Sequence, residues 1–316
     1  MKGDALDRAY DSLRSRAHGR VERDLPIGPM TSYGLGGPAA VFLEAATDAD
    51  LEALSSALGE TGLPHVMLGR GSNLLVSDRG FPGIAVRLGA GFRWTRVEGK
   101  EIAAGAGVPL PTVAVLSGQH SLAGIEFAVA IPASVGGAVR MNAGAHGHSM
   151  GEVLSTIDVF RLGASRSETI RASDLGFAYR AADLPEDAVV TGARFALSPG
   201  DEAGIQARLR EAREWRRANQ PLNLPNAGSV FKNPPEEAAG SIIERVCGKG
   251  TGVGGARISE IHANFIVATA EARADDVYTL IRRIQRRVKD ETGITLELEV
   301  RLIGEFEEAS DGATAR

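Results

Sequence analysis

Apolar positions along the chain follow two periods, helical and strand-like, in short alternating stretches. Leu51, Leu54 and Leu58 share one face of a helix that Thr47-Asp-Ala-Asp opens in capping-box style and Gly62 ends. The same spacing sets Ile242, Ile243 and Val246 in phase. It is clearest at Val277, Leu280, Ile281, Ile284 and Val288, which predict a helix over 274–291 with Gly293 past its end. After Pro199-Gly-Asp, another helix places Ile205, Leu209, Ala212 and Trp215 along one side. Asp201 and Glu202 stand at its start and Arg216 and Arg217 at its end, as the helix dipole favours, and its other arginines read as a solvated face. Residues 109–116 form a further helical run. Strands are expected at 41–44, 65–68, 84–88, 155–162, 166–170, 188–197 and 263–268, with Gly163 turning between two of them. Residues 294–301 alternate without a break, Ile294, Leu296, Leu298 and Val300 against Thr295, Glu297, Glu299 and Arg301, and predict one more strand. Leu6, Tyr10 and Leu13 give only weak helical spacing among many charges, so residues 1–24 read as a peripheral lead-in. The tail 307–316 reads as disordered. Short strands with intervening helices point to an α+β fold rather than one doubly wound sheet.

Composition narrows the function. At 316 residues, 43% hydrophobic and 24% charged, the chain is long enough for two or three domains with cores of their own. A net charge of −5 argues against nucleic-acid binding, so an anionic ligand must be met by locally placed Arg or Lys. The single cysteine, Cys247, excludes an intramolecular disulfide and a multi-cysteine metal site, and reads as a small core residue on a short helix. No apolar run reaches membrane-span length, and the charged first residues lack a signal-peptide core. A cytoplasmic protein is expected.

Two loops carry the candidate binding chemistry. Residues 124–147 run apolar up to Pro132 and then turn almost wholly small: Ser134, Gly136, Gly137, Ala138, Asn142, Ala143, Gly144, Ala145 and Gly147. Bare backbone suits a bulky ligand lying against the main chain and N–H groups aimed at an anion; a tightly turned loop is the plainer alternative. Gly69-Arg70-Gly71-Ser72-Asn73-Leu74 follows the 65–68 strand as a second nest. Leu74 stands where the dinucleotide fingerprint requires its third glycine, so that fold is not indicated. Gly250-Thr-Gly-Val-Gly-Gly matches the same fingerprint in spacing, but no clear helix follows it, which marks a loop. His65, at the start of its strand, reads as structural.

Gly-Ile-Glu-Phe, Ile-Pro-Ala-Ser-Val-Gly-Gly-Ala-Val and Met-Asn-Ala-Gly-Ala-His-Gly together resemble the flavin-binding core of the UDP-N-acetylenolpyruvoylglucosamine reductase family, bacterial enzymes of peptidoglycan precursor synthesis. The resemblance runs from about Thr31 to Gly304. It implies a two-subdomain FAD-binding domain of the vanillyl-alcohol-oxidase/PCMH type over 25–200, its subdomains meeting near residue 88. A smaller α+β substrate-binding domain follows over 201–306. It also implies non-covalent FAD, NADPH as co-substrate, a UDP-sugar substrate, and a role in cell-wall biogenesis and so in cell shape and division. It gives no protein partner.

By the same resemblance three positions match the catalytic set: Arg180 in Phe-Ala-Tyr-Arg, Ser229 in Asn-Ala-Gly-Ser-Val-Phe-Lys-Asn-Pro, and Glu299 in Leu-Glu-Leu-Glu-Val-Arg. The forked, permanently charged arginine suits a carboxylate gaining electron density, a positioned serine can protonate an enolate carbon, and a held carboxylate can polarise it. Taken singly, each also suits a bland place: a surface arginine, a turn serine, a solvated glutamate row. Together, behind the glycine loops, they favour the catalytic reading. Cofactor contacts are expected at Gly69, Arg70, Gly71, Ser72, Asn73, Leu74, Ser134, Gly136, Gly137, Asn142, Gly144 and Gly147. Substrate contacts are expected at Tyr179, Lys232, Asn233, His262 and Asn264, with no metal. The chain departs from the family pattern at Ala133, Ala182, Ile261 and Ala268, which touches fine substrate contacts. Its short 220–226 connection resembles the subtype without an inserted tyrosine-bearing loop. A flavin oxidase of the same fold would keep the glycine loops without needing Arg180, Ser229 and Glu299, and a non-enzymatic binder would need none of the three.

Overall fold

Capping and periodicity act at Asp48–Thr61 as the sequence predicts. In the computed structural model, which describes residues 2–307, the backbone enters this helix at extended Thr47 and leaves it through Gly62 at φ 63°, whose N–H returns to the Leu58 carbonyl at 2.8 Å. The helices are α1 (Lys2–Arg16), α2 (Asp48–Thr61), α3 (Leu110–Gln119), α4 (Val135–Arg140), α5 (Glu202–Asn219), α6 (Ala239–Cys247) and α7 (Ala274–Thr292).

The described chain divides into two compact units. The first comprises residues up to Arg23, Ala40–Arg70 and Gly83–Arg216. It holds most of a sheet in the order Arg20–Pro26, Pro38–Ala45, Phe81–Leu88, His65–Leu68, the last two parallel with His65 opposite Ile84. Leu51, Leu54 and Ala57 of α2 pack there with Val41, Leu43, Ile84 and Val86. So do Ala9 and Leu13 of α1, both fully buried, and this corrects the expected peripheral lead-in. Charged residues surround a narrow apolar stripe on α1, and that stripe suffices to dock it.

The same unit holds an antiparallel five-stranded sheet in the order Arg166–Arg171, Leu154–Arg161, Ala188–Ala196, Glu101–Gly105, Thr95–Glu98. Its second core collects Ile102, Ala104, Ile157, Val159, Val190 and Phe195 with Val113 of α3, Val135 and Val139 of α4, and Ile205, Leu209 and Ala212 of α5. Trp215 leaves that stripe. It is 46% exposed and meets the His146 ring edge-on at 5.0 Å.

The second unit joins residues from Arg217 onward to two earlier segments, Asp24–Ala39 and Gly71–Pro82. Its core sets α6 (Ile242, Ile243, Val246, Cys247) and α7 (Val277, Leu280, Ile281, Ile284, Val288) around Val230, Phe231, Ile266, Leu296 and Val300. Tyr33 and Leu75 come into this core from the early segments, the Tyr33 hydroxyl donating to the Ile266 carbonyl at 2.9 Å. Gly252–Val253 and Ala256–Ile258 form a hairpin turning at Gly254, so the glycine run there is a turn.

The predicted strand over 294–301 is corrected. Leu296 and Val300 are buried as the alternation requires, but only Arg301–Ile303 is strand, parallel to Leu74–Val76. Upstream of it a single bridge, Phe231 to Leu298, replaces a ladder. The tail from residue 308 lies outside the described residues.

Candidate active site

The small-residue stretch forms a cradle within the first unit. Ser134 caps α4, its Oγ accepting the Gly137 N–H at 3.3 Å. A Cβ on Gly69 would stand 2.7 Å from that same Oγ, so the backbone after His65–Leu68 lies against the cap. Arg70 Nε donates to the Pro132 carbonyl at 3.2 Å and ties the two loops. The glycines then sort into two kinds. Gly136 gives its N–H to the Ala106 carbonyl, and a Cβ there would press on the Ala106 methyl at 2.9 Å. Gly144 would meet the His148 carbonyl at 2.5 Å. These two serve packing. A Cβ on Gly137 would meet only Ser134 Oγ, at 3.4 Å, and one on Gly147 would meet nothing within 4 Å. Exposed bare backbone of this second kind fits a flat dinucleotide cofactor.

Beyond α4, Gly144–Ala145 and His148–Ser149 pair as a hairpin through His146 (φ 53°) and Gly147 (φ 82°). Arg180 sits on a second tight turn, Ala178 to Ala181. These two alanines exchange both backbone hydrogen bonds, at 3.0 and 3.1 Å, with Arg180 itself at φ 56°. Its Nη1 donates to the Gly144 carbonyl at 3.3 Å, and its guanidinium lies 5.2 Å from the exposed Tyr179 ring. Asn142, expected among the cofactor contacts, is buried with its amide engaged by protein: Nδ2 donates to the Ala178 carbonyl and Oδ1 accepts the Gly151 N–H.

In the second unit, two segments far apart in sequence lie side by side. Val230 O accepts the Glu299 N–H at 2.8 Å, and Lys232 donates its N–H to Glu297 O at 2.9 Å. Ser229 and Glu299 are thereby brought together, each half-buried. Asn264 secures the clasp: its main-chain carbonyl takes the Val230 N–H at 2.8 Å, and its side chain bonds both the N–H and the carbonyl of Phe231. Asn264 therefore holds the serine segment. Asn73 donates Nδ2 to the Glu299 carbonyl at 2.9 Å and takes the Arg301 N–H, and Leu74 opens the strand parallel to Arg301–Ile303. Half-buried Ser72 lies beside it. Gly71 (φ 67°) admits no side chain, since a Cβ would strike Met30 O at 2.3 Å.

Lys232 pairs with Glu297 at 3.2 Å, and Asn233 accepts the Ala239 N–H at the start of α6. His262 Nδ1 accepts the Asn264 N–H, and its ring lies 4.9 Å from Phe265. Burial, then the nearby Lys249, holds His262 below the ordinary imidazole range, so it is neutral near pH 7. Burial likewise lowers His65. No group of three or more metal-ligating side chains occurs among the described residues.

One anchoring carboxylate escapes the sequence reading, and a second, the Asp50 of the capping box, does more than cap α2. Glu126 is buried in the Gly-Ile-Glu-Phe motif and accepts the Gly124 N–H at 2.7 Å and two Arg208 N–H groups, from Nη2 at 2.6 Å and Nε at 3.0 Å. Burial would raise its pKa; Arg208 and the backbone donors outweigh that and lower it. Arg208 lies three residues from Ile205, on the flank of the buried stripe, and that phase was its signal. Asp50, fully buried, accepts four backbone N–H groups, from His18, Gly19, Ala46 and Thr47.

This arrangement has relatives. Residues 220–303 match the C-terminal domain of UDP-N-acetylenolpyruvoylglucosamine reductase, and residues 38–170 match an FAD binding domain. UDP-N-acetylenolpyruvoylglucosamine reductase 2 of Symbiobacterium thermophilum is 43% identical over 93% of this chain and 96% of its own length. The chain belongs to the UDP-N-acetylenolpyruvoylglucosamine reductase family. An Anaeromyxobacter reductase is 42% identical over 96% of this chain and 94% of its own. The crystal structure of the reductase from Thermus caldophilus superposes with a TM-score of 0.79 at 37% identity, covering 90% of this chain and all of that one. Members of this reductase family are FAD-dependent oxidoreductases, and the α+β fold with a PCMH-type flavin domain is theirs. Trp215, Ile261 and Tyr179 are exposed.

Proposed function

We propose that this chain reduces the enolpyruvyl group of UDP-N-acetyl-enolpyruvylglucosamine to UDP-N-acetylmuramate at the expense of NADPH. The observation that carries this reading is the clasp setting Ser229 beside Glu299 within the span that matches the reductase-specific C-terminal domain. Non-covalently bound FAD, when present, supplies the hydride relay between NADPH and the enol ether. Gly69, Arg70, Ser134, Gly137 and Gly147 line its cradle, with Gly71 and Ser72 on the nest that follows.

Arg180 holds the carboxylate of the enolpyruvyl group and offsets the charge that develops on it as the double bond is reduced. Ser229 Oγ gives its proton to the carbon next to that carboxylate. Glu299 is assigned to polarising the same region. Lys232 and Asn233 are assigned to the UDP-sugar, and Asn73, Asn264 and His262 to holding the segments that carry the chemistry. The flavin is assigned to the expected domain 25–200, with α5 added to it and 24–39 and 71–82 given over to the unit that is assigned to the substrate. The work belongs to cell-wall precursor synthesis in the cytoplasm. No helix among the described residues is long and apolar enough to cross a membrane.

Anaerobic addition of NADPH is expected to bleach the flavin absorbance band, and the UDP-sugar then to restore it. Acid precipitation is expected to leave all flavin in the supernatant. A band bleached by NADPH and left bleached by the UDP-sugar would overturn the proposal.

A further inference from the structure

The turn that carries Arg180 is gripped by one side chain of the cradle. Asn142 is buried, and both ends of its amide are used at good length: 2.8 Å from Nδ2 to the Ala178 carbonyl and 2.9 Å from the Gly151 N–H to Oδ1. Its own N–H goes to Val139 O at 3.0 Å. Ala178 opens the Arg180 turn and is closed onto Ala181 by two hydrogen bonds, so whatever fixes Ala178 fixes the arginine two residues on. The other end of the amide is anchored on firm ground. The fully buried Met150 gives its N–H to Ala143 O, and Gly151 is packed so tightly on Phe177 that a Cβ would stand 2.8 Å from the ring. Arg180 completes the circuit through the Gly144 carbonyl, two residues beyond Asn142.

The position asks for an amide. One group must donate to a carbonyl and accept from an N–H at once, which an ionised carboxylate, an aliphatic chain or a lysine does not do. The site also sits at φ 39°, in the left-handed region that asparagine tolerates better than most residues. Arg180 shares that region without such tolerance, and its backbone keeps this form only while its surroundings impose it.

We propose that Asn142 is a positioning residue for Arg180, acting through the Ala178 carbonyl, and not a contact of the cofactor. The inference rests on the reading of Arg180 as the holder of the substrate carboxylate. Asn142→Asp tests it, because it keeps the volume, the backbone tolerance and the acceptor for Gly151 while removing the donor to Ala178; Asn142→Ala repeats the test without an added charge. FAD affinity, read by quenching of flavin fluorescence, and the rate of flavin reduction by NADPH are expected to stay at wild-type values in both variants. Reoxidation by the UDP-sugar is expected to slow about 10²-fold, the size of effect that a small misplacement of a reacting group produces. Either change made on an Arg180→Ala background is expected to slow reoxidation no further, since both act through one group. Weakened FAD binding with normal reoxidation at saturating FAD would overturn the proposal, as would additive losses in the double variant. Normal reoxidation by Arg180→Ala alone would instead overturn the reading of Arg180.

Discussion

The two compact units hold their candidate chemistry by opposite means. In the second, Ser229 and Glu299 are set by main chain: Val230 and Lys232 exchange hydrogen bonds with the segment 297–300, and Asn264 adds its amide to Phe231 as a strand would. In the first, Arg180 rides a turn in a left-handed conformation, tied to its surroundings by the Asn142 amide and by its own guanidinium. A main-chain clasp is indifferent to the side chain it carries, so Ser229 and Glu299 can be changed without moving their segments. A side-chain tether couples chemistry to its neighbours, and a substitution at Asn142, which grips the carbonyl two residues before Arg180, acts on the arginine.

The largest test of that contrast is Ser229→Ala. The clasp predicts unchanged melting temperature and flavin content, with reoxidation by the UDP-sugar slowed about 10²–10⁴-fold, the usual contribution of a positioned general acid. Stopped-flow absorbance measures it, and a marked loss of thermal stability would break the comparison by showing the serine to be structural.

Asp50→Asn comes next, because it replaces one of two oxygens that each accept two backbone N–H groups in the first unit. Hydrogen bonds to a buried charge of this kind imply a loss of roughly 2–5 kcal/mol, read from denaturant unfolding. Burial alone would raise the Asp50 pKa; the four donors outweigh it and hold it below the ordinary 3.8. A depressed carboxylate contributes stability that is complete above its unfolded value and is lost as pH falls through the folded one. Wild-type protein is therefore expected to lose this contribution below about pH 4, and Asp50→Asn to lack that part of the acid dependence.

Asn264→Ala leaves the N–H and the carbonyl of Phe231 without their side-chain partners and is expected to cost about 2–3 kcal/mol. Hydrogen exchange sharpens the contrast: lost protection should centre on 229–232 and 297–300, with the α2 sheet unaffected. The smallest effect is expected from Gly62→Ala. Nothing lies within 4 Å of a Cβ there, so the φ of 63° is the whole cost, about 1 kcal/mol. That value calibrates the strain at Arg180, whose φ of 56° is similar.

Much of the fold was legible where local signals agree. α2 and α7 carry periodicity, caps and a terminal glycine together, and both were read close to their observed bounds. The alternation over 294–301 reports burial correctly and pairing wrongly, because period two follows from an extended chain against a core whether or not a ladder forms beside it. α1 was read as peripheral because burial of Ala9 and Leu13 depends on a partner helix that local sequence does not name. Among the candidate site residues, residue type suggested chemistry but not engagement. Asn73, Asn142 and Asn264 were expected to face ligands, and each has its amide on main-chain groups; Gly136 and Gly144 were expected to bare their backbone, and each is packed against a neighbour.

The second unit has a consequence for synthesis on the ribosome. Its segments Asp24–Ala39 and Gly71–Pro82 emerge early, while the strand that pairs with Leu74–Val76 is Arg301–Ile303, among the last described residues to be made. Tyr33 and Leu75, buried in the finished unit, must wait for almost the whole chain to be translated before their core exists. A nascent chain stalled near residue 200 is therefore expected to protect the α2 sheet from protease while 27–37 and 71–80, which lie outside its strands, are cut. Both segments gain resistance only once residue 303 has cleared the exit tunnel.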